Sequence, residues 1–403
     1  MGMRRDFPHS CNGVEAPRLV VFEVINLKRG KGKSVEQITR GEAAGQIVRV
    51  GADLAKRVIQ VHTVDEAGRV VCRRALPRNK FIAWCSRLPA GCIVAMEISS
   101  GAHHWARRLS QLALVPRLMS AQLVEPYRSQ GATGKNDAND AAAICEAASR
   151  PTMRFVPVKS VEQQSTVALH RLREGYKEER TACINRIRGL LAEFGLVFAQ
   201  RPEVLRAALP EVIEDASNEL GAVARTALQR AHLHWIELEC HIAWCDERIA
   251  MHVRSDEQAK AASKLCGIGP ITASALVATV DDFKQFKNGR QFSAWMGLVP
   301  RQSSSGGKSV LGEITKRGDE YLRTLLIQGA KSAVFTAHRR SDRLSRWIVQ
   351  LRERVGWQKA AVALANKHAR ILWSMLVNGQ SFDPEHVPTK HPVRSLAALP
   401  AAS

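Results

Sequence analysis

An unbroken apolar seam constrains this chain more than any other feature. Leu228, Ala231, Trp235, Leu238, Ile242, Cys245 and Ile249 follow one another at alternating steps of three and four. That is the a/d spacing of a heptad repeat, and it calls for a long helix whose apolar stripe a partner helix covers. Leu169, Leu172, Tyr176, Cys183, Ile187, Leu190 and Phe194 recur at steps that mostly suit one face of another helix. Antiparallel pairing within the chain and pairing between two chains both satisfy the seam.

The residues before this region read differently. Ile47, Val48 and Val50 lead into Gly51-Ala52-Asp53, and Val58, Ile59, Val61 and Val64 form a second β-rich run. Asp65-Glu66-Ala67-Gly68 is a turn signal, and Val70-Val71 opens a third strand. A helix is predicted over 80–88, a fourth strand over 92–96 ending at Glu97, a helix over about 103–112, a strand over about 114–119 and a helix from Asp137. Strands followed by alternating helix and strand imply a mixed sheet flanked by helices. Beyond residue 263, Leu265-Cys266-Gly267-Ile268-Gly269-Pro270 precedes a helix predicted over 271–280. The expected units are an extension over 1–44, partly disordered, a sheet domain over 45–157, long helices over 158–260, a mostly helical domain over 261–380 and a Pro-rich tail over 381–403.

Lys and Arg number 59 against 38 Asp and Glu, a formal charge of +21. Such an excess attracts polyanions and says nothing of fold. Nucleic acid leads as partner because cation–phosphate contacts supply most non-specific affinity; a ribosome-associated or merely basic protein also fits the charge alone. The nine cysteines lie far apart and offer no paired CxxC zinc site. Cys240 and Cys245 flank His241 in a helical stretch, where packing accounts for them. Free thiols suit a reducing cytosol. No apolar run reaches membrane-spanning length, and residues 1–44, with their basic run Lys28 to Lys33, lack the order of a signal peptide. The expectation is a cytoplasmic protein, on the nucleoid when bound to DNA, with no membrane partner.

Three motifs carry chemistry. Asp53 closes the first strand, Glu97 closes the fourth, and Asp137 and Asp140 stand at i and i+3 where a helix begins. Four such carboxylates can hold two hard cations for phosphoryl transfer, although spacing alone favours the plainer reading in which Asp137 caps a helix and Asp53 ends a turn. Gly267 and Gly269, with Thr272 at the following helix start, can present backbone N–H groups to a DNA phosphate, or form a tight turn for helix packing. Pro300 to Lys308 reads as a serine–glycine loop, followed by Lys316, Arg317 and Arg323. Ser305 there could attack a phosphate, with activation from a metal, a charge partner or a distant base; a flexible loop touching phosphate is the plainer alternative.

Taken in order, these segments resemble the insertion-sequence transposases with a RuvC-like DEDD domain and a C-terminal serine domain, the group that includes bridge-RNA-guided recombinases. The resemblance rests on residues 51–56, Met96-Glu97 before Gly101, residues 135–141, 266–270 and 292–300, Ser305-Gly306, and 314–318, and it spans about 46 to 380. It implies an α/β RNase H-like (RuvC-like) mixed sheet, a long-helix coiled-coil region, and a mostly α-helical C-terminal domain with a helix-hairpin-helix-like glycine turn. It makes Asp53, Glu97, Asp137 and Asp140 a metal-binding tetrad for Mg²⁺ or Mn²⁺. It makes Ser305 the nucleophile, with Ser304 one register away. By their own chemistry rather than by the resemblance, Gly267, Gly269, Thr272, Lys308, Lys316, Arg317 and Arg323 are the expected DNA contacts. It further implies a homo-oligomeric complex, dimer or tetramer, on element-end and target DNA, with a site composed from two subunits. In this group a structured guide RNA pairs with donor and target DNA; the protein sequence does not state whether this chain uses one. Two features depart from the pattern: the 1–44 extension, and Cys266 where proline is common. A structure-selective RuvC-like nuclease would use the same acids without the serine, and a non-catalytic nucleic-acid-binding protein would use neither.

Overall fold

The computed structural model describes residues 46–128, 137–280, 282–305 and 308–385. The 1–44 extension, Lys135 and Asn136, Gly306 and Gly307, and most of the 381–403 tail lie outside the described residues. A five-stranded mixed sheet forms the first part, from β1 (Arg49–Leu54), β2 (Val58–Val64), β3 (Val70–Pro77), β4 (Ile93–Glu97) and β5 (Val115–Met119) in the order β3-β2-β1-β4-β5. The first three strands run antiparallel, and β4 and β5 lie parallel to β1. The Asp65 turn forms as expected, with Gly68 at φ +77° and Asp65 accepting from the Arg69 backbone N–H at 2.8 Å.

Alternation along the strands separates the two faces. Val50, Ala52, Val94 and Met96 pack with Phe81, Trp105 and Leu109, from α1 (Phe81–Cys85) and α2 (Ala102–Gln111). On the opposite face Ala95 and Met119 meet Val124 of α3 (Ala121–Val124) and Ala143, Ile144 and Ala147 of α4 (Asp137–Ala147). The expected helix over 80–88 is shorter than its pattern, because the chain turns at Ser86.

Two long helices follow, α5 (Val161–Ala192) and α7 (Ala222–Ser255), joined through α6 (Pro202–Glu214). Ser160 and Gln163 close a reciprocal capping box at the start of α5. The seam of α7 is buried as its spacing requires, at Leu228, Trp235, Leu238, Ile242, Cys245 and Ile249. Its partner is α5 of the same chain: Arg173 pairs with Asp246 and the Cys183 thiol meets the Ala231 carbonyl, so the helices run antiparallel. On α5 the expected face is shifted. Leu172 and Leu190 are exposed, and the buried positions are His170, Arg173, Cys183, Ile184, Ile187 and Leu191. Hydropathy misreads this face because its first half is buried through polar partners.

The last part gathers α8 (Glu257–Ala262), α9 (Pro270–Thr279), α10 (Gly289–Trp295), α11 (Glu320–Thr336), α12 (Arg343–Val355) and α13 (Trp357–Asn378) around one core containing Leu276, Phe292, Leu326 and Leu364. Gly267, at φ +83°, sits against α11, where a Cβ would lie 2.5 Å from the Gly329 carbonyl oxygen. This glycine turn is therefore a helix-packing joint as well as a turn. Residues 300–305 and 308–314 are not a loop but the two paired antiparallel strands of a hairpin, β6 (Pro300–Ser305) and β7 (Lys308–Ile314). Every β6 residue is exposed, so no buried face marks it in sequence. Among the described residues no helix is long and apolar enough to cross a membrane.

Candidate active site

Gly51 determines how the acids meet. It faces α4, where an added Cβ would lie 2.2 Å from the Ala141 carbonyl oxygen and 2.5 Å from the Cys145 nitrogen. The backbone of α4 thus rests directly on β1. Asp53, two residues along the strand, points to the same face and meets the first turn of α4. Asp137 and Asp140 stand there one turn apart, where the helix N-terminus favours negative charge. One carboxylate oxygen from each of Asp53, Asp137 and Asp140 lies within 4.8 Å of the others. Asp140 is buried, Asp53 half-buried and Asp137 exposed.

Glu97 arrives by strand pairing. Ala52 pairs with Met96 across the parallel β1–β4 ladder, so Asp53 and Glu97 each follow the last paired residue. Glu97 lies outside the three-acid group and joins it through Arg128, a residue with no signal in the sequence. Arg128 Nη2 donates to Glu97 Oε2 at 3.0 Å. Its Nε lies 2.9 Å from Asp140 Oδ1, close enough for an ion pair but not aligned as a hydrogen bond.

Burial pushes the Asp53 carboxyl above its ordinary range, and the charges of Asp140, Asp137 and Glu97 push it the same way, while Arg128 partly opposes them. Such a group is short of positive charge. Its donors are all carboxylate oxygens, the set that hard divalent cations prefer. Cys145, behind Gly51, adds no thiolate, because burial raises its pKa.

The expected second group is distributed differently. Ser305 ends β6 in the exposed hairpin, opposite Lys308 in register. Ser304 Oγ accepts from Gln302 Nε2 at 2.8 Å, whereas no hydrogen bond engages the Ser305 side chain among the described residues. Lys316 and Arg317 are exposed below the hairpin, and Lys316 pairs with Glu313 at 3.4 Å. Gly269 opens α9 without contacts that a Cβ would disturb. Two expected phosphate contacts do not fit their surroundings. Thr272 is buried within α9. Arg323 is buried with its Nη1 3.4 Å from the carbonyl oxygens of Met296 and Arg317, so its charge is spent inside the fold.

A cleft of about 1910 Å³ runs between these regions. Its lining includes Ile98 and Ser99, which follow Glu97, and Thr315 and Arg317, which follow β7. Arg107, Arg154 and Arg171 line its walls. Ser305 is not part of this lining, and no described contact joins it to the acids.

Two family models match the chain. A transposase model matches residues 50–195, and a model described as the transposase IS116/IS110/IS902 family matches residues 259–345. A probable family 20 transposase of Pseudomonas aeruginosa is 47% identical over 337 residues, covering 83% of this chain and 98% of that protein. The transposase for insertion sequence element IS1111A of Coxiella burnetii is 39% identical, covering 83% of this chain and 90% of its own length. The transposase for IS1328 of Yersinia enterocolitica is 38% identical, with 83% and 98% covered.

Proposed function

Because the chain belongs to the IS116/IS110/IS902 transposase family and is thereby a DNA-processing enzyme, we propose that it moves an insertion sequence by cutting and rejoining DNA through a transient serine–DNA link. The observation that carries this reading is the convergence of Asp53, Asp137 and Asp140 beside Glu97. The strand order and the position of α4 support an RNase H-like, RuvC-like assignment for 45–157. The long helices of 158–260 then connect it to a serine-bearing domain over 261–380.

In this mechanism the four acids would hold Mg²⁺ or Mn²⁺, which when bound would supply stabilisation of negative charge on the reacting phosphate. Lys316 and Arg317 offer cations to the DNA backbone, and the arginines of the cleft steer the strand along it. Ser305 Oγ attacks phosphorus, forming a serine–phosphate bond as the bond to one DNA oxygen breaks. The serine proton passes to water and the departing oxygen gains one. The phosphodiester energy is conserved in the link, so a second DNA hydroxyl can reverse the step with a new partner strand. The exposed hairpin and the separate acids suit a composite site in which one subunit's Ser305 meets another subunit's acids, in a dimer or tetramer. A structured guide RNA that pairs with both DNAs belongs to the same reading, as does a cytoplasmic, nucleoid-bound location.

Two substitutions test the proposal. Ser305→Ala is expected to bind element-end DNA normally while giving no covalent protein–DNA species after denaturation. Asp137→Asn is expected to stop both cleavage and adduct formation. Normal strand exchange by Ser305→Ala would remove the serine step, and metal-dependent cleavage without any adduct in the unsubstituted protein would favour a nuclease using water.

A further inference from the structure

Arg128 lies 31 residues from Glu97 in sequence and follows a short turn of 3-10 helix, Glu125–Tyr127. Its guanidinium spans Glu97 and Asp140, which belong to different elements, a strand end and a helix start. The two acids are largely covered, with side-chain exposures of 18% and 11%, while Arg128 keeps 35%. Asp53 and Asp137 add two more negative groups to the same locality, and Arg128 is the one cation paired with these acids among the described residues. A guanidinium fork suits two carboxylates because it is planar and carries several donors.

A divalent cation bound by Glu97 and Asp140 takes lone pairs on the carboxylates that Arg128 now engages. It also places a second positive charge within a few ångströms of the guanidinium, where like charges repel. Arg128 and the cation are therefore alternative partners of the same acids. We propose that Arg128 is a positioning residue that holds Glu97 against Asp140 until a divalent cation displaces it. The inference rests on the reading above that these acids bind such a cation. The partial exposure of Arg128 lets its side chain leave without opening the core.

Binding of Mn²⁺ to the full chain without DNA, measured by calorimetry together with the metal-free melting temperature, tests this. Arg128→Gln is expected to bind Mn²⁺ about tenfold more tightly, and its metal-free form to melt lower. Arg128→Lys, which keeps the charge and loses the fork, is expected to bind about two- to threefold more tightly. A purely structural role would weaken Mn²⁺ binding in step with the loss of stability. If the folded variants bind Mn²⁺ no more tightly than the unsubstituted chain, while Asp137→Asn loses binding, Arg128 is not displaced and the metal site stands. If Asp137→Asn binds Mn²⁺ as the unsubstituted chain does, the metal site itself is misassigned and the inference goes with it.

Discussion

Replacing Gly51 by Ala asks whether the backbone contact between β1 and α4 sets the geometry of the acids. The new Cβ would start 2.2 Å from the Ala141 carbonyl oxygen and 2.7 Å from the Cys145 Cβ. Ordinary van der Waals contact begins at 3.4 Å, so α4 must retreat by about 1.2 Å, because both obstacles are backbone or sit on it. Overpacking of this kind costs about 1–3 kcal/mol, and a melting temperature lower by about 2–10 °C follows. The same displacement carries Asp137 and Asp140 away from Asp53, so Mn²⁺ binding should weaken about tenfold or more, beyond what lost stability explains. Fluorescence-monitored melting and calorimetric titration read the two effects. Gly175→Ala, on α5 with nothing near its Cβ, is the control and should be neutral or stabilising by up to about 1 kcal/mol. A Gly51→Ala protein that melts and binds Mn²⁺ like its parent would show that the close approach does not position the acids.

Acid sensitivity should trace in part to His170. Burial, with Arg173 next, lowers its pKa from 6.5 to about 4, and its ring nitrogens lie 3.1 Å from Tyr321 Oη and 2.9 Å from Ser274 Oγ. Between about 4 and 6.5 the unfolded chain binds a proton that the folded chain refuses, so stability is full above that window and falls as pH drops through it. The loss approaches about 3 kcal/mol. Since His103 and His368 are also lowered, the test is the difference between the parent and His170→Gln: a smaller fall in melting temperature from pH 7 to pH 5. An equal fall in both would clear His170. Trp235→Ala removes a side chain that is 1% exposed from the α5–α7 core and should cost about 3–5 kcal/mol, seen in thermal melting by circular dichroism. The number of subunits by sedimentation should not change; dissociation with unchanged stability would put the seam between chains instead.

Much of the sheet was legible because strand alternation and a turn signal mark it, as at Val58 to Gly68. The α7 seam was equally plain, since its apolar stripe is buried against another helix. Two features escaped for physical reasons. The inner face of α5 near His170 and Arg173 is polar, and its burial depends on Ser274, Tyr321 and Asp246 from distant elements. The β6–β7 hairpin has no buried side to produce a pattern. At the candidate site, Asp53, Glu97, Asp137 and Asp140 are weakly marked by spacing and named through the family resemblance, whereas Arg128 is not, because a lone arginine becomes informative only once folding sets it between Glu97 and Asp140. Arg323 shows the converse: a cation near a basic loop suggests phosphate until its burial is known.

The paired helices α5 and α7 have a mechanical consequence. Among the described residues their outer halves share a core with α6 and the segments that join these helices, while their inner ends meet α9. From Arg173 to Ala192 the helix rises about 29 Å at 1.5 Å per residue. A tilt of about 10° at the root would carry the far end through an arc of about 5 Å over that span. The hydrogen-bonded cluster of His170, Ser274 and Tyr321 lies near the root of this arm, so small rearrangements there would be amplified at its far end.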